Sequence, residues 1–122
     1  AILNYSSSDT RNIKIATTGD TVLVNADTAS SVMLVINELL SNSLEHGFRT
    51  KKSGNIDIRI SNEEVFAIFT ITDDGDGFQQ KTNFESLGLN IVKAIVKDKL
   101  NGKIRIHSSK SGTVTEFSIK IK

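Results

Sequence analysis

Residues 56–77 read IDIRISNEEVFAIFTITDDGDG, and the reading of this stretch decides the architecture. Ile56, Ile58 and Ile60 alternate with polar neighbours, the period of a half-buried strand. Asn62-Glu63 is a turn signal. Val65 to Thr72 is rich in β-branched and aromatic residues, which suit a second strand. The glycine-rich break Asp73-Asp74-Gly75-Asp76-Gly77 ends it. Two strands are therefore joined by a hairpin rather than by a helix, which points away from a parallel, helix-interleaved sheet.

Working outward, Ile13 and Ile15, then Val22 and Val24, alternate with polar residues on either side of Thr18-Gly19-Asp20. This pattern predicts a β-hairpin. Asp27 or Thr28 is placed to cap the next helix. From Ala29 to His46 the apolar residues Val32, Val35, Ile36, Leu39, Leu40 and Leu44 recur at helical spacing, and Gly47 is a stop signal. Downstream of the glycine break, a polar loop runs to Glu85. Leu87, Ile91, Ala94, Ile95 and Leu100 mark a second amphipathic helix, ended by Asn101-Gly102. Strands follow at Lys103 to Ser108 and Thr113 to Ile121, with a turn at Ser109 to Gly112. The order β-β-α-β-β-α-β-β predicts an α+β fold. It would be a two-layer sandwich with a mixed, mostly antiparallel sheet and helices packed on one face. A doubly wound dinucleotide fold needs one-to-one alternation of strands and helices, which is missing.

Length and composition narrow the function. A chain of 122 residues fits one domain, 1–122, with enough core to fold alone. Charged residues make up 24% and the net charge is +1, so no nucleic-acid footprint stands out. Cysteine is absent and there are two histidines, which excludes disulfides, thiolate nucleophiles and thiolate zinc sites. No apolar run is long enough to span a bilayer, and the start lacks a signal-peptide pattern. The chain starts at Ala1, so the expectation is a fragment of a longer protein.

Four groups of residues could carry chemistry. Glu38, Asn42 and His46 lie at i, i+4 and i+8, so they share one helix face. A solvated stripe is the plain reading, yet Asn, Ser and His are mediocre helix formers. The Asn42 carbonyl is a hard donor suited to Mg²⁺, and Glu38 could accept a proton. The second group is Asp73-Asp74-Gly75-Asp76-Gly77. A plain turn would need one Asp-Gly pair. A carboxylate at a strand end beside two glycines can accept the exocyclic amino group of adenine. An EF-hand is excluded, because Gly77 and Phe78 replace later oxygen ligands. Third, Gly88 and Leu89 open a helix whose N–H groups could face an anion, although a first-turn glycine more often serves packing. Fourth, Thr113 and Thr115 on the last strand are either ordinary strand formers or polar groups at a pocket floor.

Taken in order, these segments resemble the ATPase superfamily shared by gyrase, the heat-shock chaperone ATPase, histidine kinases and mismatch-repair ATPases. The likeness covers nearly the whole chain. Asn37-Glu38-Leu39-Leu40-Ser41-Asn42 with His46 is similar to the sensor histidine kinase subgroup whose helix reads Asn-Glu-Leu-x-x-Asn-x-x-x-His. Glu85-Ser86-Leu87-Gly88-Leu89 resembles the short-lid, single-glycine box of that subgroup. Runner-up functions within this fold are a serine kinase of the anti-sigma-factor type and a nucleotide-binding regulatory module. A non-nucleotide interaction domain that keeps only the fold is a third.

The resemblance implies a Bergerat-type ATP-binding fold, a histidine kinase catalytic domain, and ATP with Mg²⁺ as ligands. Asn42 would ligate Mg²⁺, Glu38 would take the catalytic position, and His46 would reach the phosphates or the lid. Asp73 would hold the adenine amino group, with Gly75 and Gly77 shaping its pocket and the lid hinge. Leu87, Gly88 and Leu89 would lie against the phosphates, and Thr113 or Thr115 would support adenine. Residues Phe78 to Glu85 would form the lid. Implied partners are an upstream dimerisation and phosphoacceptor domain and a response regulator, in a cytoplasmic homodimer without nucleic acid or direct membrane contact. Two positions depart from the pattern. Glu45 stands where many relatives carry lysine, and the second glycine box is reduced to Gly88. Neither His46 nor His107 sits in a dimerisation-helix pattern, so the chain alone is not expected to autophosphorylate.

Overall fold

The computed structural model describes residues 2–6, 12–48, 50–78 and 88–122, the first range as backbone. The elements are β1 (Ile2–Ser6), β2 (Asn12–Gly19), α1 (Ala26–Asn42), β3 (Ser53–Glu63), β4 (Phe66–Asp73), α2 (Leu89–Ala94), β5 (Ile104–Ser109) and β6 (Gly112–Lys120). Each helix runs on into one wider π-helical turn, Ser43–Gly47 after α1 and Ile95–Lys99 after α2. The strands form one six-stranded sheet in the order β1-β2-β3-β4-β6-β5. The β2–β3 pair is parallel and the other four are antiparallel. The α+β class and the mixed, mostly antiparallel sheet stand as expected.

One buried face unites the sheet. Ile56 and Ile58 of β3, Ala67, Phe69 and Ile71 of β4, and Phe117 and Ile119 of β6 lie on it at alternate positions. Phe69 and Phe117 are directly opposed and their rings stack at 4.9 Å. Against this face α1 buries Val32, Val35, Ile36 and Leu39, and the second helical segment buries Leu89, Val92 and Val96. Spacing of i, i+3, i+4, i+7 explains why these side chains share a stripe.

The expected hairpin around Thr18-Gly19-Asp20 is not formed. After Gly19 the chain stays beside β3, because Asp20 N–H donates to the Ile60 carbonyl at 2.8 Å and the Asp20 carboxylate accepts from Asn62 N–H at 2.8 Å. Val22 and Val24 pack on the core from a segment that belongs to no ladder. The strand beside β2 is instead β1, with Leu3 opposite Ile15. Helix α1 starts earlier than the periodicity suggests. Its cap is Asn25 rather than Asp27 or Thr28, and the Asn25 side-chain oxygen accepts from Thr28 N–H at 2.8 Å. The β3–β4 turn falls at Glu64-Val65 rather than Asn62-Glu63, and Glu64 takes a positive φ of 71°.

Candidate nucleotide-binding site

Asp73 ends β4 in the middle of the sheet, opposite Ile56 on one side and Thr113 on the other. It lies on the core face and is only 4% exposed. An acidic side chain there needs donors, since burying an unpaired charge is costly. Its Oδ1 accepts from Gly75 N–H at 3.0 Å and Thr113 N–H at 3.2 Å. Its Oδ2 accepts from the Ser43 hydroxyl at 2.9 Å. The carboxylate is thus held by the glycine loop, the last strand and the end of the long helix.

The other two aspartates of the break are structural. Asp74 accepts from Asn55 N–H at 2.7 Å and Asn55 Nδ2 at 3.0 Å. Asp76 accepts from Thr50 N–H at 2.8 Å and from the Thr50 hydroxyl at 2.7 Å. Asp76 N–H also donates to the Gly47 carbonyl at 2.6 Å, which ties the loop to the π-helical turn. Gly75 is required by that approach, because a Cβ there would strike the Gly47 carbonyl oxygen. Gly77 takes a positive φ of 79°, where only glycine is comfortable, as the chain leaves the sheet toward Phe78.

Glu38 and Asn42 lie one turn apart on α1, and His46 follows in the π-helical turn Ser43–Gly47. Asn42 is 6% exposed, while Glu38 is exposed. Gly88, at φ 69°, caps α2, and a Cβ on it would lie 3.2 Å from Glu38 Oε2. The helix motif and the start of α2 therefore meet. Leu89 turns its side chain into the core, at 1% exposure. The His46 side chain is partly exposed, and that of Glu45 is 71% exposed with its carboxylate 3.9 Å from His46 Nε2. Of the two threonines, Thr113 pairs with Asp73 and Thr115 pairs with Ile71, one step further from the glycine loop. The Thr113 hydroxyl shares a 2.8 Å hydrogen bond with that of Ser108, and the Ser108 oxygen accepts from Phe78 N–H at 2.9 Å. Leu87 and residues 79–85 of the expected lid lie outside the described residues.

Sequence reasoning missed Ser43 and Ser108. Ser43 lies four residues after Leu39 and four before Gly47, on the inward stripe of the helix, so a polar residue at a buried position was the available signal. A separate open groove of about 1090 Å³, lined by Phe66, Ile68, Val96 and Ile104 among others, shares no residue with this cluster. It borders the opposite end of β4, and the charged side chains on its rim, Lys93, Lys97, Arg105 and Glu116 among them, lie on a different part of the sheet from Asp73.

Residues 27–122 match the family model described as "Histidine kinase-, DNA gyrase B-, and HSP90-like ATPase". The chain belongs to this family. Relatives narrow the branch of the family. The chain is 32% identical over 113 residues to sensor histidine kinase PdtaS of Mycobacterium tuberculosis, an alignment covering 89% of this chain and 23% of that protein. It is 30% identical over 115 residues to blue-light-activated histidine kinase 2 of Erythrobacter litoralis, covering 89% of this chain and 32% of that protein. The solved histidine kinase domain of the Erythrobacter litoralis EL346 blue-light-activated kinase superposes with a TM-score of 0.79 at 29% identity, covering 88% of this chain and 51% of that one. The chain thus spans about a quarter to a third of the length of these curated relatives. Within the family it is an ATP-binding domain of the histidine kinase type.

Proposed function

We propose that this chain is the catalytic domain of a sensor histidine kinase, one domain of a longer protein, and that it presents the γ-phosphoryl group of Mg·ATP to a histidine carried elsewhere. The observation that carries the reading is the buried Asp73 carboxylate, held by three donors at the sheet end beside the polar helix face. Asp73 accepts the adenine 6-amino group. Gly75 and Gly77 let backbone lie close to the base, and Thr113 supports the base side. Gly88 and Leu89 offer backbone N–H groups at the start of α2, with Leu87 just before them. His46 reaches toward the phosphates from the end of the helix.

Among the described residues no group of three or more His, Asp or Glu could hold a metal. That fits Mg²⁺, which typically takes one or two protein oxygens and completes its shell with phosphates and water. The Asn42 carbonyl, with Glu38 one turn away, is such a donor pair. Bound there, Mg²⁺ would neutralise phosphate charge. Glu38 occupies the position to orient the incoming histidine or accept its proton. The protein's task is positioning and charge balance, as phosphoryl transfer requires. The exposed Glu45 side chain lies in water, which screens its repulsion of the phosphates.

The partners that follow are a dimerisation and phosphoacceptor segment and a response regulator, with the domain in the cytoplasm of a homodimeric kinase. No helix among the described residues is long and apolar enough to cross a membrane. Calorimetry with Mg·ATP tests the reading. Wild type should bind, and Asp73→Asn should lose roughly ten- to a hundredfold in affinity, the range of a hydrogen bond to a charged group. Unaltered binding by that variant would remove Asp73 from the base site.

A further inference from the structure

We propose that Ser43 is a positioning residue for base recognition, one that selects the single acceptor position Asp73 offers to a purine amino group. The inference rests on the base-site reading of Asp73 and goes beyond it. Ser43 directly follows Asn42 and faces inward rather than along the polar side of the long helix. Serine is also a poorer helix former than alanine at a buried interior site. Ser43 is 4% exposed, and its hydroxyl points across to another element rather than back along its own helix. Mid-helix serines commonly bond the carbonyl four residues earlier. Here the hydroxyl instead donates to the Asp73 carboxylate, while the Leu39 carbonyl receives the backbone N–H of Ser43, as in any helix.

Counting lone pairs makes the argument. A carboxylate oxygen accepts about two hydrogen bonds. Oδ1 of Asp73 has both positions filled by the backbone N–H groups of Gly75 and Thr113. Oδ2 receives one proton from Ser43, which leaves it one position. An amino group on C6 of a purine must use that position, and the Ser43 proton sets its direction. A 6-oxo purine presents an acceptor there and is refused. Without the Ser43 hydroxyl, Oδ2 has two open positions. The carboxylate is then pinned through one oxygen, and water fills the difference.

The experiment is calorimetry of wild type, Ser43→Ala, Asp73→Asn and the double variant, each with Mg·ATP, Mg·ITP and ADP. ITP carries oxygen at C6 where ATP carries the amino group. Ser43→Ala should weaken ATP and ADP alike by roughly three- to tenfold, the effect of one hydrogen bond. It should also shrink the ATP-to-ITP ratio. In the Asp73→Asn background the same substitution should have little further effect on affinity, because its partner has already changed. Thermal unfolding without nucleotide should show each variant folded. If Ser43→Ala unfolds, Ser43→Cys supplies the same readout with a near-isosteric, weaker donor. An unchanged ATP-to-ITP ratio, or a loss fully additive with Asp73→Asn, overturns the role of Ser43 while leaving the base site standing. If wild type itself binds no ATP, the base-site reading falls and this proposal falls with it.

Discussion

At the residue scale, Asp73 shows why the choice of substitution decides what is measured. Removing its carboxylate in Asp73→Ala strands the Ser43 hydroxyl and the N–H groups of Gly75 and Thr113 in a buried place. Each stranded donor costs about 1–3 kcal/mol. The apo protein should lose several kcal/mol in urea unfolding, so lost binding in that variant confounds folding with recognition. Asp73→Asn keeps the shape and one acceptor oxygen, so it tests base recognition at a smaller cost to folding. Gly75→Ala is the converse case. Its Cβ would collide with the Gly47 carbonyl, so we expect roughly 1–3 kcal/mol of destabilisation by urea unfolding. At this scale the sequence pointed to residues that the fold does gather: Asp73, Gly75 and Gly77 in one loop, with Asn42 beside Ser43 at the helix end. Ser43 was hidden because attention to the polar stripe 38, 42, 46 passes over the inward stripe one residue away, and a lone-pair count needs distances.

At the element scale, the long helix and the β3–β4 and β5–β6 hairpins were legible because local periodicity and turn residues suffice for neighbours in sequence. The partner of β2 was not. Alternation in Ile13 and Ile15 shows that a strand is half-buried, but it carries no information on direction or on which strand lies alongside. Val22 and Val24 alternate equally well in a segment without a ladder. Asp20 supplied the deciding contacts by holding the chain against Ile60 and Asn62. The helix boundary follows the same logic: Asn25, Asp27 and Thr28 are all competent caps, and only geometry selects among them. Asn25→Ala should therefore lower stability by about 1 kcal/mol in chemical denaturation, whereas Asp27→Ala should cost only a few tenths, through the helix dipole.

At the scale of the whole molecule, two outcomes are expected. Saturating Mg·ATP at about a hundred times its Kd should add about 2.7 kcal/mol of stability, raising the thermal midpoint by roughly 5–15 °C. Incubated alone with γ-labelled ATP, the chain should yield no acid-labile phosphohistidine. His107 is exposed on β5 but alternates with Ile106, which packs against the core, so it projects from the sheet face away from the helices and the candidate site. His46 sits within the candidate site itself. Stable label on either histidine would contradict the assignment of the acceptor to another segment.

The parallel ladder between Asn12–Gly19 and Ser53–Glu63 has a consequence for biosynthesis. During translation β2 leaves the ribosome with Ile13 and Ile15 bare, and its parallel partner is not yet made. The whole of the long helix must emerge before β3 can arrive. Antiparallel hairpins close as soon as they are synthesised, but this pairing must wait, and contacts so distant along the chain slow folding. The nascent domain therefore passes through an interval in which its first strands are apolar and uncovered, the stage at which chaperone capture would be most useful to it.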